Sequence, residues 1–401
     1  MLVIFLIVFI DLVGFGIVIP LLPFYGEHFQ ADPFTVSMLM ATYSLGQFIA
    51  APFWGGLSDR MGRKPILLIS LVGSVFSYTW LAYATSLWAL FAARAIGGLM
   101  AGNISTAFAY IADITTPENR AKGMGLVGAA FGLGFIAGPA IGGILAGPDP
   151  LTADYTSPAL AAAGLSLTAL LFALVMMKES LSPEHMEELK NKPKNGRFAD
   201  FIETVNKPGV GLLIALSFLA TFVFAGMETT FAMWSRRQLG WGPEQNGYLF
   251  AFIGIVAAAL QGGAVGRLAK HFGEANLIVQ GAFALAIGMA LIPFCTTVEA
   301  LVGAMVIVAY GFSVINPSLN SLISLKTEKT SQGTVMGSAR SATTMARVVG
   351  PLWAGFLFAS MGKDWPYWAG TVVMVIVGVL AWRSMASNVQ AKKDALSNHE
   401  S

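Results

Sequence analysis

A single cysteine, Cys295, stands in 401 residues, which excludes a disulfide framework or a thiolate metal site. Charge is scarce too: Asp, Glu, Lys and Arg make up 11% of the chain, against about a quarter in a soluble domain. The net charge of +2 is too small to suggest nucleic acid. All four histidines (His28, His185, His271 and His399) fall in loops or tails, so no histidine proton relay is expected inside an apolar segment. No H-E-x-x-H, G-x-S-x-G or paired-aspartate pattern occurs, which argues against an enzyme.

Apolar residues fill what is left: 55% of the chain, with a mean hydropathy of +0.67. One water-soluble core does not hold that much apolar side chain, so lipid is its solvent. Stretches of about 20 mostly apolar residues, the length that crosses a bilayer, occur at roughly 2–25, 34–57, 66–84, 86–112, 123–146, 157–177, 209–234, 244–266, 276–295, 298–322, 334–360 and 365–385. The first lacks a basic n-region and a cleavage site, and it carries Asp11. It therefore reads as a membrane helix and not as a signal peptide. With both termini cytoplasmic, 18 of the 24 Lys and Arg residues lie in cytoplasmic turns and only Arg236, Arg237 and Lys363 lie outside. That asymmetry is the positive-inside pattern. The expectation is an all-α polytopic membrane protein with twelve transmembrane helices and the lipid bilayer as a partner.

The longest polar stretch, Lys178 to Lys207, divides the spans into two sets of six. Its composition suits a solvated linker with a short amphipathic helix around Pro183–Lys190. The expected organisation is a six-helix bundle over 1–178, a cytoplasmic linker over 179–207, a second six-helix bundle over 208–386 and a cytoplasmic tail over 387–401. An internal repeat supports the division. Gly266 to Gly273 echoes Gly55 to Gly62 at an offset of 211, Gly350-Pro351 echoes Gly138-Pro139 at 212, and Thr296 to Leu301 echoes Thr85 to Leu90. Two homologous halves with a site between them is the plan of a secondary transporter. Lys270 stands where the first copy has Asp59, so the gate chemistry is expected in the first half.

Four motifs add to this. Between the second and third spans lies Gly55-Gly56-Leu57-Ser58-Asp59-Arg60-Met61-Gly62-Arg63-Lys64-Pro65. The fourth span holds Arg94 before Gly97-Gly98, and the fifth holds Gly125, Gly134, Gly138-Pro139 and Gly142-Gly143. The first span holds Asp11-Leu12-Val13-Gly14-Phe15-Gly16, then Pro20 and Pro23. Together these resemble the major facilitator superfamily and, within it, the twelve-helix drug:proton antiporters that include the tetracycline efflux pumps. The resemblance covers nearly the whole chain. It implies the major facilitator fold, two pseudo-symmetric six-helix bundles with the first, fourth, seventh and tenth helices around a central cavity.

Each motif has a physical reading. Asp59 can accept hydrogen bonds from a helix N-terminus, and the expected partner is the start of the eleventh span, where Gly333 and Gly337 permit close approach. Arg63 would hold Asp59 and Asp113 in one network, with Gly62 as the turn, giving a cytoplasmic gate that latches the halves in the outward-open state. Arg60 and Lys64 read as positive-inside anchors. The antiporter motif Gly125, Gly134, Gly138, Pro139, Gly142 and Gly143 is expected to pack the fifth span tightly along the seam between halves, kinked at Pro139.

Ionisable groups inside spans are costly and mark function; here they are Asp11, Arg94, Glu228, Arg340 and Arg347. With no histidine available, a carboxylate is the expected proton carrier: Asp11 first, which matches the family's first-helix acid, then Glu228. At 1.5 Å per residue, Arg94 and Glu228 lie ~12 and ~9 Å from the outer ends of their helices and Asp11 ~12 Å from the opposite end. Depth therefore places Arg94 nearer Glu228 than Asp11. Arg347 is expected either to bind an anionic group or to tune an acid, and Arg340 to snorkel to the surface. The remaining cavity candidates are Phe15, Tyr43, Gln47, Asn103, Phe224, Gln261 and Asn316. Such a lining suits a lipophilic or amphipathic small-molecule substrate better than a sugar. Where the tetracycline pumps carry further acids, in the third and ninth helices, this chain has Ser77 and Ala284.

The expected function is a proton-coupled antiporter for multidrug-type efflux in a bacterial inner membrane. Protons are the coupling ion, no cofactor or metal is expected, and the transporter acts as a monomer. A proton-driven importer and a non-transporting receptor are the alternatives. The fifth-span signature argues against the first, and the buried acids and two-half gate against the second.

Overall fold

The computed structural model describes residues 2–101, 104–181, 184, 197–207, 209–328 and 331–397. Among them the secondary structure is helical, with no strand. The first half comprises α1 (Leu2–Val18), α2 (Leu22–His28), α3 (Pro33–Met61), α4 (Arg63–Ala82), α5 (Leu87–Met100), α6 (Ile104–Ile114), α7 (Pro117–Ala146) and α8 (Thr156–Met176). After the connecting helix α9 (Arg197–Asn206), the second half comprises α10 (Val210–Leu239), α11 (Pro243–Ala259), α12 (Val265–Phe272), α13 (Glu274–Leu291), α14 (Val298–Leu325), α15 (Gln332–Met361) and α16 (Trp365–Ser397).

Eleven helical stretches among the described residues are long and apolar enough to cross a membrane. The twelfth pass is α15, whose 30 residues reach ~45 Å. Arg340, Arg347 and its many Gly, Ser and Thr residues dilute its hydropathy. That composition fits its place, because it packs against α10 on one side and α3 of the other half on the other. Strongly apolar side chains such as Trp88, Val175 and Trp382 are exposed instead, on faces that lipid would cover.

Local sequence sets the helix ends. The Asp32 carboxylate caps α3, accepting the N–H groups of Phe34 and Thr35 at 2.8 and 3.0 Å, with Pro33 in the first turn. Ser86 caps α5 through Ala89 N–H, and Thr297 caps α14 through Ala300 N–H, both at 3.3 Å. The echo of Thr85–Leu90 in Thr296–Leu301 is thus one N-cap used twice. Gly62 and Gly273, also a repeat pair, both turn the chain at positive φ, +97° and +78°.

Four expected boundaries shift. The first span breaks into α1 and α2 around Pro20, which has no N–H to donate. The fourth is described as α5 and α6, residues 102–103 lying outside the described set. The expected linker helix around Pro183–Lys190 lies outside the described residues apart from Glu184, and α9 forms further on, with Thr204 buried and Phe201 packed on the core of the second half. The last helix continues through Ser397, well into the segment expected as a tail.

Each half has its own core, and the repeat recurs in the packing. Gly138 of α7 lies so close to Gly16 of α1 that a Cβ would sit 2.6 Å from the Gly16 Cα. Its counterpart Gly350 of α15 lies against the Phe222 carbonyl of α10, and Gly226 faces Gly350. The halves meet along α7 with α11 and α3 with α15. These seams are tight at one end: Gly143 meets Pro243, Glu244 and Gly247, and Gly355 meets Ser37 and Pro33. At the other end, which carries Arg60, Arg63 and Lys64, a Cβ built on Gly128, Gly132, Gly262, Gly263, Gly333 or Gly337 would touch no described atom within 4 Å. The basic end is open and the opposite end is closed.

Candidate functional site

Between the halves lies a cavity with about 380 Å³ of non-atom space, part of it open to solvent. Phe15 and Ile19 of α1, Met40, Tyr43 and Ser44 of α3, and Arg94 of α5 line it from the first half. Ala225, Glu228 and Thr229 of α10 and Arg347 and Pro351 of α15 line it from the second. Glu228 forms an ion pair with Arg347 at 3.6 Å. Arg94 is buried, and its guanidinium carbon sits 4.3 Å from the centre of the Tyr43 ring. Arg94 and Glu228 both reach the cavity, but Glu228 turns to Arg347 and Arg94 to an aromatic face. Asp11 lies one helical turn from Phe15 on α1, on the same face, and makes no hydrogen bond or ion pair among the described residues.

The other cavity candidates are placed elsewhere in this conformation. Gln47 donates to the Ala101 carbonyl at 3.3 Å. Phe224 stacks on Phe312 with ring centres 3.7 Å apart. Gln261 is exposed in the π-helical turn Leu260–Ala264 that joins α11 to α12, and Asn316 is half-buried on α14, away from the cavity wall. Asn103 lies outside the described residues. Arg340 does not snorkel freely, since its guanidinium lies 4.6 Å from the ring centre of Phe108, on the opposite half.

At the basic end, Arg63 is buried and gathers its neighbours. It donates to Asp59 Oδ1 and Ser58 Oγ, both at 2.6 Å, and to Asp113 Oδ2 at 3.1 Å. The first residues beyond α8 complete the cluster. Glu179 accepts the N–H groups of Arg63 and Lys64 at 2.8 and 3.0 Å, and Ser180 donates to Asp113 at 3.0 Å. Glu179 thus occupies the positive N-terminus of α4. Lys64, expected as a positive-inside anchor, donates to the Leu174 carbonyl at 3.1 Å. Among the described residues the expected contact of Asp59 with the start of α15 is absent in this conformation, with Gly333 and Gly337 clear of other atoms.

At the closed end the exceptions to the positive-inside pattern find partners. Arg236 and Arg237 of α10 reach Glu27 of α2, across the seam, at 2.6 and 3.6 Å. Lys363 bonds Gln238.

Residues 4–351 match the family described as Major Facilitator Superfamily, and a second, overlapping match covers 263–399. The chain belongs to the major facilitator superfamily. It is therefore a membrane transporter and not an enzyme. It is 32% identical over 368 residues to the tetracycline resistance protein, class E, of Escherichia coli, covering 90% of this chain and 88% of that one. It is 29% identical to multidrug resistance protein 2 of Bacillus subtilis, covering 96% and 95%. The solved structure of the human organic anion transporter MFSD10 (TETRAN) superposes with a TM-score of 0.71 at 26% identity, covering 94% and 98%.

Within this superfamily fold, the fifth-span glycines do two separate jobs. Gly134, Gly138 and Gly142 pack on Leu12, Gly16 and Ile17 of α1, inside the first half. Only Gly143, with the Pro139 carbonyl facing Gly247, lies on the seam between halves. Gly125 lies in α7, with its surroundings outside the described set. Glu27, Ser58, Glu179, Ser180, Met40, Ser44 and Thr229 were not anticipated. Glu179 left a faint signal, an acid directly after the sixth span at the head of a Lys-rich linker. The pairing partner of Glu27 lies 209 residues away, so nothing local announced it.

Proposed function

We propose that this transporter is a proton-coupled antiporter that exports a lipophilic or amphipathic small molecule by alternating access. It would work as a monomer in a bacterial inner membrane, with both termini cytoplasmic and protons as its coupling ion. Asp11 carries the reading. An acid held inside a span without a cation beside it is suited to binding and releasing a proton during a cycle. Glu228, salt-bridged to Arg347 on the second-half wall of the cavity, is the second coupling group. The relatives named for tetracycline and multidrug resistance support the outward direction.

With the positive-inside orientation, the open basic end faces the cytoplasm and the solute enters there. Closing that end brings the start of α15, at Gly333 and Gly337, onto Asp59, while the Arg63–Asp113 network keeps Asp59 aimed. Opening the other end separates Glu27 from Arg236 and Arg237. A proton then loads from outside and resets the carrier.

The test is reconstitution into vesicles with an imposed pH gradient. Solute-dependent proton flux that disappears in Asp11→Asn supports the reading. Unchanged exchange in that variant removes Asp11 from the mechanism.

A further inference from the structure

We propose that Arg94, backed by the Tyr43 ring, is an anion subsite, and that the solute of this cavity is an amphipathic organic anion. The inference rests on the transporter reading above and adds the chemical class of the cargo. Arg94 is 4% exposed. Among the described residues its Nε has no hydrogen-bond partner and no carboxylate pairs with it. A guanidinium does not shed its proton in a protein, so the charge stays where it is. Burying an unpaired charge is costly, and a chain that keeps one beside a cavity has a use for it.

The local charge inventory points the same way. The cavity wall carries Arg94, Arg347 and one acid, Glu228. Glu228 is taken by Arg347 at 3.6 Å and Asp11, one turn from Phe15, pairs with no cation, so Arg94 is the cation of this wall with no carboxylate bonded to it among the described residues. Tyr43 supports the guanidinium carbon from 4.3 Å, a cation–π contact that orients the fork without neutralising it. A planar fork with free N–H groups matches a carboxylate or another oxyanion in two-point contact. Around it, Phe15, Met40 and Pro351 offer apolar surface for the rest of such a solute. An amine would meet like charge at this wall, and a neutral amide would leave the fork only partly satisfied.

The experiment titrates the purified full chain at neutral pH with three probes of one shape: 4-phenylbutyrate, 4-phenylbutanamide and 4-phenylbutylamine. Charge-assisted hydrogen bonds to the fork predict that the carboxylate binds about 10–100-fold more tightly than the amide, with the amine weakest. Arg94→Gln should abolish that preference, Arg94→Lys should keep part of it, and Arg347→Gln should leave carboxylate ahead of amide. Equal or tighter binding of the amide or amine by the unmodified protein overturns the proposal, whatever the variants do. A carboxylate preference that survives Arg94→Gln overturns it too. Should that variant not fold, the Arg94→Lys comparison decides: an undiminished preference there counts against the fork. Flux that follows Asp11 but carries only the amine overturns the anion subsite and leaves antiport standing. Carboxylate-selective binding with no pH-driven flux does the reverse.

Discussion

Gly62 and Glu179 should prove energetically coupled although 117 positions separate them in the chain. Gly62 turns the chain at φ +97° and ψ 162°, a region open to almost no other residue and costing a side chain ~1–3 kcal/mol. It also leaves room for the cap, because a Cβ there would lie 2.5 Å from Glu179 Oε2. Losing Glu179 removes a charged cap on two backbone N–H groups, worth about 2 kcal/mol. Glu179→Ala alone should therefore cost about 2 kcal/mol at the start of α4. Gly62→Ala alone should cost ~3–5 kcal/mol, since it strains the turn and displaces the cap together. In the double variant the cap is already gone, so the total should stay at ~3–5 kcal/mol, leaving a coupling of about 2 kcal/mol. Amide hydrogen exchange of a peptide covering 58–70 reads the local opening, and 2 kcal/mol corresponds to about 30-fold faster exchange in Glu179→Ala. Additive effects in the double variant would refute the argument, since Gly62 would then serve the turn and nothing else.

Two other outcomes follow from the closed end and its helix caps. Glu27→Gln should weaken the contact with Arg236 and Arg237 by about 1 kcal/mol, the scale of a partly exposed pair, and shift the ratio of closed to open by about fivefold. Spin labels at Gln30 and Ser360, with Cys295 replaced, would report a longer distance population; an unchanged distribution would mean that the pair does not hold the seam. Asp32→Ala should remove the α3 cap at about 1 kcal/mol. The Thr35 N–H, with the Thr35 hydroxyl and Phe34 N–H, holds the Asp32 carboxyl below its ordinary range. Its contribution is thus complete above about pH 4 and fades as the pH falls through the lowered folded-state value. Thermal melts should show the parent ahead of the variant at pH 7 and the gap closing in acid; a gap that widens in acid would contradict the sign.

Legibility differed from residue to residue for physical reasons. Gly62 and Gly273 could be read as turns because a reversal between two apolar runs needs a residue that tolerates positive φ. The cluster of Asp59 and Arg63 is visible because those residues lie four positions apart, on either side of the Gly62 turn. Asp113 follows from the helix count, as the acid at the end of the fourth span. The Glu228 partner stays open at the level of sequence because helical rise gives depth and says nothing of rotation about the helix axis. Arg94 and Glu228 share a depth, yet the axial rotation of α15 brings Arg347 to the acid. The fifth-span glycines were read as one seam, whereas their register on α7 gives Gly134, Gly138 and Gly142 to α1 and Gly143 to α11.

By itself the sequence determined the solvent of the protein, the number of passes, the twofold repeat and the short list of charges that lipid would not tolerate. Those follow from transfer free energy and from periodicity, which are properties of local sequence. Only the tertiary structure decided which end is open, that Arg94 stays unpaired while Arg347 takes Glu228, and that Glu179 and Glu27 hold partners far along the chain. Those depend on helix rotation and on contacts between distant segments, and no local pattern encodes either.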